Sequence, residues 1–250
     1  MIFKQLFEVD SSTFTYLIAD RDSGTAILID PVRETVERDL QVLKDMNLKL
    51  TATLETHVHA DHLTGARLLK AKTGCKIAYP AMVKSSCIDI GIKEGEAFKV
   101  GNIELKPLFT PGHTDHHHAY LIDTPIQKLL FTGDALLIEA CGRTDFQSGS
   151  AEVLYNSIHN KIFSLPDETL VYPGHDYEGR FITSVAQEKS RNPRLGGGKS
   201  KKEFIKIMDG LDLPYPRKID FAVPGNEQCG ICPDNVLEEF KGSCAIRDQG

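Results

Sequence analysis

One short stretch constrains this chain more than any other. Thr56-His57-Val58-His59-Ala60-Asp61-His62 sets three histidines and an aspartate within six consecutive positions. Side chains alternate along a strand, so His-x-His at a strand end puts both imidazoles on one side of the chain. Asp61 and His62 follow as the chain turns toward a helix. Such a density of nitrogen and oxygen donors points to a metal site, and matching donors recur downstream.

The surrounding pattern supplies the strand that delivers this stretch. Residues 2–8, 13–20 and 25–30 read as short strands, separated by Asp10-Ser11-Ser12 and by Asp20-Arg21-Asp22-Ser23-Gly24. Val36, Leu40, Leu43 and Met46 make the apolar stripe of a helix over 33–47. A strand over 50–55 then runs into the histidines. A helix follows from Asp61 to about Lys72, with Gly74 as its C-cap. Residues 76–79 form a strand, and 80–94 read as irregular or weakly helical. Gly101-Asn102 turns a hairpin between 97–100 and 103–109. Strands over 119–122, 128–131 and 169–172 follow. A helix over 151–163 turns Val153, Leu154, Ile158 and Ile162 inward, and helices are expected over 180–190 and 201–209. The two halves share one rhythm of strands, helix, strand, helix. That predicts an α/β architecture of two packed sheets with helices outside, a four-layer sandwich. We expect a single domain over 1–250, with 196–250 as a C-terminal extension beginning at Gly196-Gly197-Gly198.

Four strand ends carry donors: His57, His59, Asp61 and His62 at the first, then His113, Asp134 and His175. The last three each follow a glycine, at 112, 133 and 174, which lets the backbone turn tightly beside a metal. His116-His117-His118 point to different sides in turn, so they cannot all serve one site, and none is expected to bind the metal.

The bulk numbers exclude several classes. A net charge of −6 gives no electrostatic case for nucleic acid. No run of 18 apolar residues exists to span a membrane. The opening residues lack the pattern of a signal or transit peptide, so the expected location is cytoplasmic. There the six cysteines are expected to be thiols, with Cys229-Gly-Ile-Cys232 an incidental C-x-x-C and Cys141 a small buried hydrophobe.

The donors in this order resemble the metallo-β-lactamase superfamily, whose signature is H-x-H-x-D-H followed by a later His, Asp and His. Within it, Thr56 to Gly65, Asp134-Ala-Leu-Leu-Ile138 and Cys141-Gly-Arg-Thr-Asp-Phe-Gln147 are similar to the persulfide dioxygenases. So are Asn192-Pro-Arg-Leu195 and Ile219-Asp-Phe-Ala-Val-Pro224. The resemblance implies an αββα sandwich of metallo-β-lactamase type and one Fe(II) per chain, held by His57, His113 and Asp134. His59, Asp61, His62 and His175 would orient those ligands and hold water. It implies oxidation of glutathione persulfide or a related small persulfide by O2 and water to sulfite and the thiol, a step of hydrogen sulfide metabolism. Arg143 and Tyr177 match substrate-contact positions, and Arg180 and Arg217 are further candidates for the glycine carboxylate of glutathione. A homodimer is expected, with any sulfurtransferase a separate protein. The alternative is a thioester hydrolase of glyoxalase II type. It would place one metal on His57, His59, His113 and Asp134, and a second on Asp61, His62, Asp134 and His175.

Overall fold

The computed structural model describes residues 1–234, 236 and 238–244. The chain clusters into two compact units. The first comprises Met1–Ile92, Lys99–Ile103 and the chain from Tyr215 on; the second comprises Lys93–Phe98 and Glu104–Pro214.

The first unit holds a six-stranded sheet in sequence order: β1 (Ile2–Glu8), β2 (Thr13–Ala19), β3 (Thr25–Ile29), β4 (Lys49–Leu54), β5 (Lys76–Pro80) and β6 (Ile90–Ile92). β1 to β3 pair antiparallel and β3 to β6 parallel. Parallel neighbours need crossovers, and α1 (Val36–Asp45) and α2 (Ala66–Thr73) supply two of them. Every residue of β2 is buried, so it reads as a continuous apolar and threonine run rather than an alternation. Val36 and Leu43 of α1 pack on Leu17, Leu28 and Leu50, with Leu40 partly buried beside them. Gly74 caps α2 at φ +74°, as its position predicts.

Local pattern and structure part company in several places. The helix expected from Asp61 starts only at Ala66. Asn226, distant in sequence, takes the carbonyls of His59 and His62 and the amide of Thr64, so these groups do not bond helically. The stretch expected to be irregular over 80–94 contains β6, which pairs with β5 and at three residues is too short to show alternation. The helix over 33–47 is instead a 3-10 turn at Arg33–Thr35 followed by α1.

The second sheet comprises β7 (Phe98–Val100), β8 (Ile103–Phe109), β9 (His118–Asp123), β10 (Lys128–Gly133), β11 (Leu170–Pro173) and β12 (Thr183–Ser184), in the order β12-β11-β10-β9-β8-β7. Only the β10–β11 pairing is parallel among the pairings with an assigned register. α3 (Ala151–Ser157) and a π turn over Ile158–Ile162 make the crossover. Leu154, Ile158 and Ile162 are fully buried, each burial stabilising by about 1.5–3 kcal/mol. Val153, expected inward, is 40% exposed, because the i, i+4 row of its neighbours defines the apolar face. The expected helix over 180–190 is α4 (Val185–Arg191), since residues 183–184 pair as β12 and Ser184 caps the helix. α5 (Lys201–Asp209) begins with a Ser200–Glu203 capping box. α6 (Ile219–Glu227), with Pro224 inside it, and α7 (Lys241–Cys244) follow.

The cysteines differ from the thiol expectation. Cys87 is joined to Cys229 and Cys232 to Cys244, with Cα–Cα separations of 6.2 and 5.6 Å, while Cys75 and Cys141 are free and buried. The two halves of the C-x-x-C thus bond elsewhere rather than to each other. Sequence spacing cannot reveal such pairing, because connectivity depends on which Cα atoms the fold brings within reach.

Candidate metal centre

In the first unit β3 and β4 run parallel, with one register shift between Ala26 and Ile27. Asp30 follows β3 at φ +48°, a left-handed conformation uncommon without glycine. Its carboxylate reaches the residues after β4: Oδ1 accepts the Thr56 N–H at 2.7 Å and Oδ2 the Thr56 hydroxyl at 2.8 Å. That hydroxyl has donated its only proton, so at 2.9 Å it accepts from His57 Nδ1–H. His57 is therefore the tautomer whose Nε2 carries the lone pair, the form a metal ligand needs.

His59 is fully enclosed, with Nε2 3.2 Å from Asp30 Oδ1 and 3.4 Å from Glu55 Oε2. Burial alone would lower the basicity of His59, but the Asp30 charge and the Glu55 carboxyl outweigh it and raise its pKa well above the ordinary value. Burial raises the Glu55 carboxyl, whose Oε1 accepts the Thr64 hydroxyl at 2.7 Å. His62 Nδ1 lies 2.9 Å from Asp61 Oδ2. Its buried Nε2 has no hydrogen-bond partner among the described residues. Donor atoms of His59, Asp61 and His62 all lie within 4.8 Å of one another, as do those of Asp30, Glu55 and His59.

In the second unit the turn after β8 places His113. Gly112 has φ +131°, and a Cβ there would meet the Leu154 backbone nitrogen at 2.3 Å, so only glycine fits. His113 Nδ1 is 2.8 Å from the Arg143 carbonyl. A carbonyl only accepts, so Nδ1 carries the proton and Nε2 is again the basic nitrogen. Asp134 follows β10, whose last residue Gly133 has φ +46°. The Asp134 N–H donates to His117 Nε2 at 3.2 Å. His117 Nδ1–H then donates to Thr110 Oγ1 at 2.9 Å.

Asp134 Oδ2 lies 3.6 Å from His113 Nε2, and Oδ1 lies 3.5 Å from His175 Nε2. Both separations exceed a good hydrogen bond, and Oδ1 is buried without a hydrogen-bond partner among the described residues. Two donors about 2.1 Å from one ion stand roughly 3–3.5 Å apart, so the 3.6 Å between His113 Nε2 and Asp134 Oδ2 is close to the spacing of two ligands on one metal. Two glycines keep the space open: a Cβ on Gly174 would sit 2.5 Å from Asp134 Oδ1, and one on Gly142 would sit 2.7 Å from His113 Nδ1.

The remaining candidates are less committed to this centre. Arg143 is half-buried and pairs bidentately with Asp145, both bonds 2.7 Å, with Nη1 on the Pro214 carbonyl. Its carbonyl, not its guanidinium, reaches His113. Tyr177 is 73% exposed and stacks parallel to His175 at 6.0 Å between centroids. Arg180 is held by Asp176, and Arg217 lies over the Phe240 ring. Cys141 is buried, which pushes its thiol up to about 11. His117 and Asn226, like Asp30 and Glu55, carry roles that the sequence pattern does not announce. The triple-histidine run hid the first, and nothing local marks the second.

The Metallo-beta-lactamase superfamily profile matches residues 9–175. The mitochondrial persulfide dioxygenase ETHE1 of Mus musculus is 46% identical over 232 residues, 92% of this chain and 89% of that protein. The crystal structure of ETHE1 from Myxococcus xanthus aligns with TM-score 0.88 at 50% identity, covering 92% of this chain and 100% of that one. A hydroxyacylglutathione hydrolase from Polaromonas sp. is 38% identical over 179 residues, 70% of this chain and 66% of that protein.

Proposed function

The chain belongs to the metallo-β-lactamase superfamily and, within it, to the persulfide dioxygenase family, and from that premise we propose that it oxidises glutathione persulfide at one Fe(II) held by His57, His113 and Asp134. One persulfide, one O2 and one water give sulfite, glutathione and two protons. The observation that carries the ligand assignment is the paired tautomer geometry. Backbone or hydroxyl partners fix Nδ1 of His57 and of His113, which leaves Nε2 as the basic nitrogen of each.

Two imidazoles and one carboxylate suit non-haem Fe(II), which when bound supplies adjacent positions for O2 and the persulfide sulfur. The protein's own share is orientation. Asp30 and Thr56 hold the His57 ring, the Arg143 carbonyl holds the His113 ring, and His117 fixes the backbone that carries the Asp134 carboxylate. Enclosing His59 with Asp30 and Glu55 keeps its Nε2 in an ion pair, a role in orienting the loop rather than in ligation. Asp61, His62 and His175 are assigned, with His59, to orienting the ligands and holding water. Arg143 binds a glutathione carboxylate by exchanging it for Asp145, and the exposed Tyr177 hydroxyl contacts the same substrate. On this reading the enzyme is a homodimer supplied by a separate sulfurtransferase.

The test is anaerobic metal analysis joined to O2 uptake. One iron per chain and O2 consumption on glutathione persulfide are expected. Two metals per chain, with O2-independent hydrolysis of S-lactoylglutathione, would overturn it in favour of the hydrolase reading.

A further inference from the structure

Asn226 lies near the C-terminal end of α6 and is buried. Its Nδ2 donates to the carbonyls of His59 at 2.9 Å and His62 at 2.8 Å, and its Oδ1 accepts the Thr64 N–H at 2.8 Å. Both amide protons and the amide oxygen are thus engaged by the backbone of one loop. Its own carbonyl accepts the Tyr79 hydroxyl at 3.2 Å. The neighbouring chain presses on the same loop. A Cβ on Gly225 would meet Leu63 Cδ2 at 2.5 Å, and one on Gly230 the Thr64 carbonyl oxygen at 2.2 Å. Arg33 links the two from beneath: its N–H bonds the Leu63 carbonyl and its Nη1 the Gly230 carbonyl, both at 2.8 Å. Residues 225–230 therefore form a strap across residues 59–64.

We propose that Asn226 is a positioning residue of the metal centre, holding the backbone of residues 59–64 in the conformation that lets the turn leaving β4 present His57 to the metal. The inference rests on the ligand assignment above. A primary amide is suited to this post because it offers two donors and an acceptor on one short stem. An aspartate of the same shape offers acceptors only and would face two carbonyl oxygens. An alanine would leave two carbonyls and one N–H buried without partners, at roughly 1–3 kcal/mol for each unsatisfied group.

The test uses the full chain with Asn226→Asp and Asn226→Ala. Three quantities are read: Fe(II) affinity by anaerobic competition with a chelator, the melting midpoint of the metal-free protein, and amide hydrogen exchange over residues 59–65. The expected result is Fe(II) binding about 10–100-fold weaker per folded molecule, with faster exchange confined to 59–65 in the metal-free state. A purely structural role would lower the midpoint and leave affinity and kcat/KM unchanged. A folded variant that binds Fe(II) within about two-fold of the wild type, a difference of about 0.4 kcal/mol, overturns the proposal. Should both variants fail to fold, exchange in the metal-free wild type decides. The Thr64 amide is expected to be as protected as the amides of β4, and free exchange there overturns the proposal. A wild type that binds no iron condemns the ligand assignment instead, and the exchange result still judges Asn226.

Discussion

His117 accepts the backbone N–H of Asp134 through Nε2 at 3.2 Å, while its Nδ1–H is given to Thr110 Oγ1 at 2.9 Å. An imidazole in a run of three histidines thus works through the backbone of the carboxylate residue rather than as a metal donor. Replacing it with Phe fills the space but removes both bonds. His117→Phe is expected to cost about 1–3 kcal/mol of stability and to weaken metal binding about 10–100-fold, with His117→Gln milder. Urea denaturation and metal titration check this; equal losses for Phe and Gln would contradict it.

Arg143 separates two functions in one residue. Its carbonyl holds His113, and its guanidinium pairs with Asp145. Arg143→Lys keeps the first and loses the planar bidentate fork. KM for glutathione persulfide is expected to rise on the order of tenfold, the size of about 1.4 kcal/mol of lost binding, with iron content unchanged. Loss of iron in this variant would count against the division.

Gly112 has room for no side chain, since φ is +131° and the Leu154 backbone nitrogen lies 2.3 Å from where a Cβ would sit. Gly112→Ala is expected to destabilise the fold by roughly 2–5 kcal/mol, combining strained backbone with overpacking, and to displace His113. A melting midpoint equal to that of the wild type would refute this.

Asp39 carries a pH signature. Its side chain is buried, paired with Arg38 at 2.8 Å, and burial raises its pKa to about 6 from the ordinary 3.8. A carboxyl with a raised folded-state pKa binds more protons folded than unfolded between these values. Its contribution to stability therefore falls as pH rises from about 4 to about 6 and stays low above that. Asp39→Asn is expected to flatten this decline and to raise stability at pH 7 by about 1–3 kcal/mol. Denaturation curves at pH 4, 5, 6 and 7 decide, and a variant that parallels the wild type across them would count against it.

The parts of this site legible from sequence are those written locally. His-x-His at the end of a strand, and histidine or aspartate after glycine at three later turns, each announce themselves within a few residues. The buried runs of β2 and β3 and the i, i+4 row of Leu154, Ile158 and Ile162 are legible for the same reason. What escaped was set by distance along the chain. Asn226 delays the start of α2 from more than 160 positions away. Cys87 finds Cys229 across a separation of 142. β6 exists because β5 offers it an edge, and three residues carry no period of their own. His117 looked like its two neighbours until its partners were known.

The first unit is discontinuous: Met1–Ile92 is completed by the chain from Tyr215 on. During synthesis, at about 5–20 residues per second, the histidine loop leaves the ribosome roughly 8–33 s before α6 does. For that interval its backbone has no Asn226 to bind. Tight iron loading is thus expected to await the emergence of α6, and nascent chains stalled short of residue 215 should bind Fe(II) at least about 10–100-fold more weakly than chains that include it.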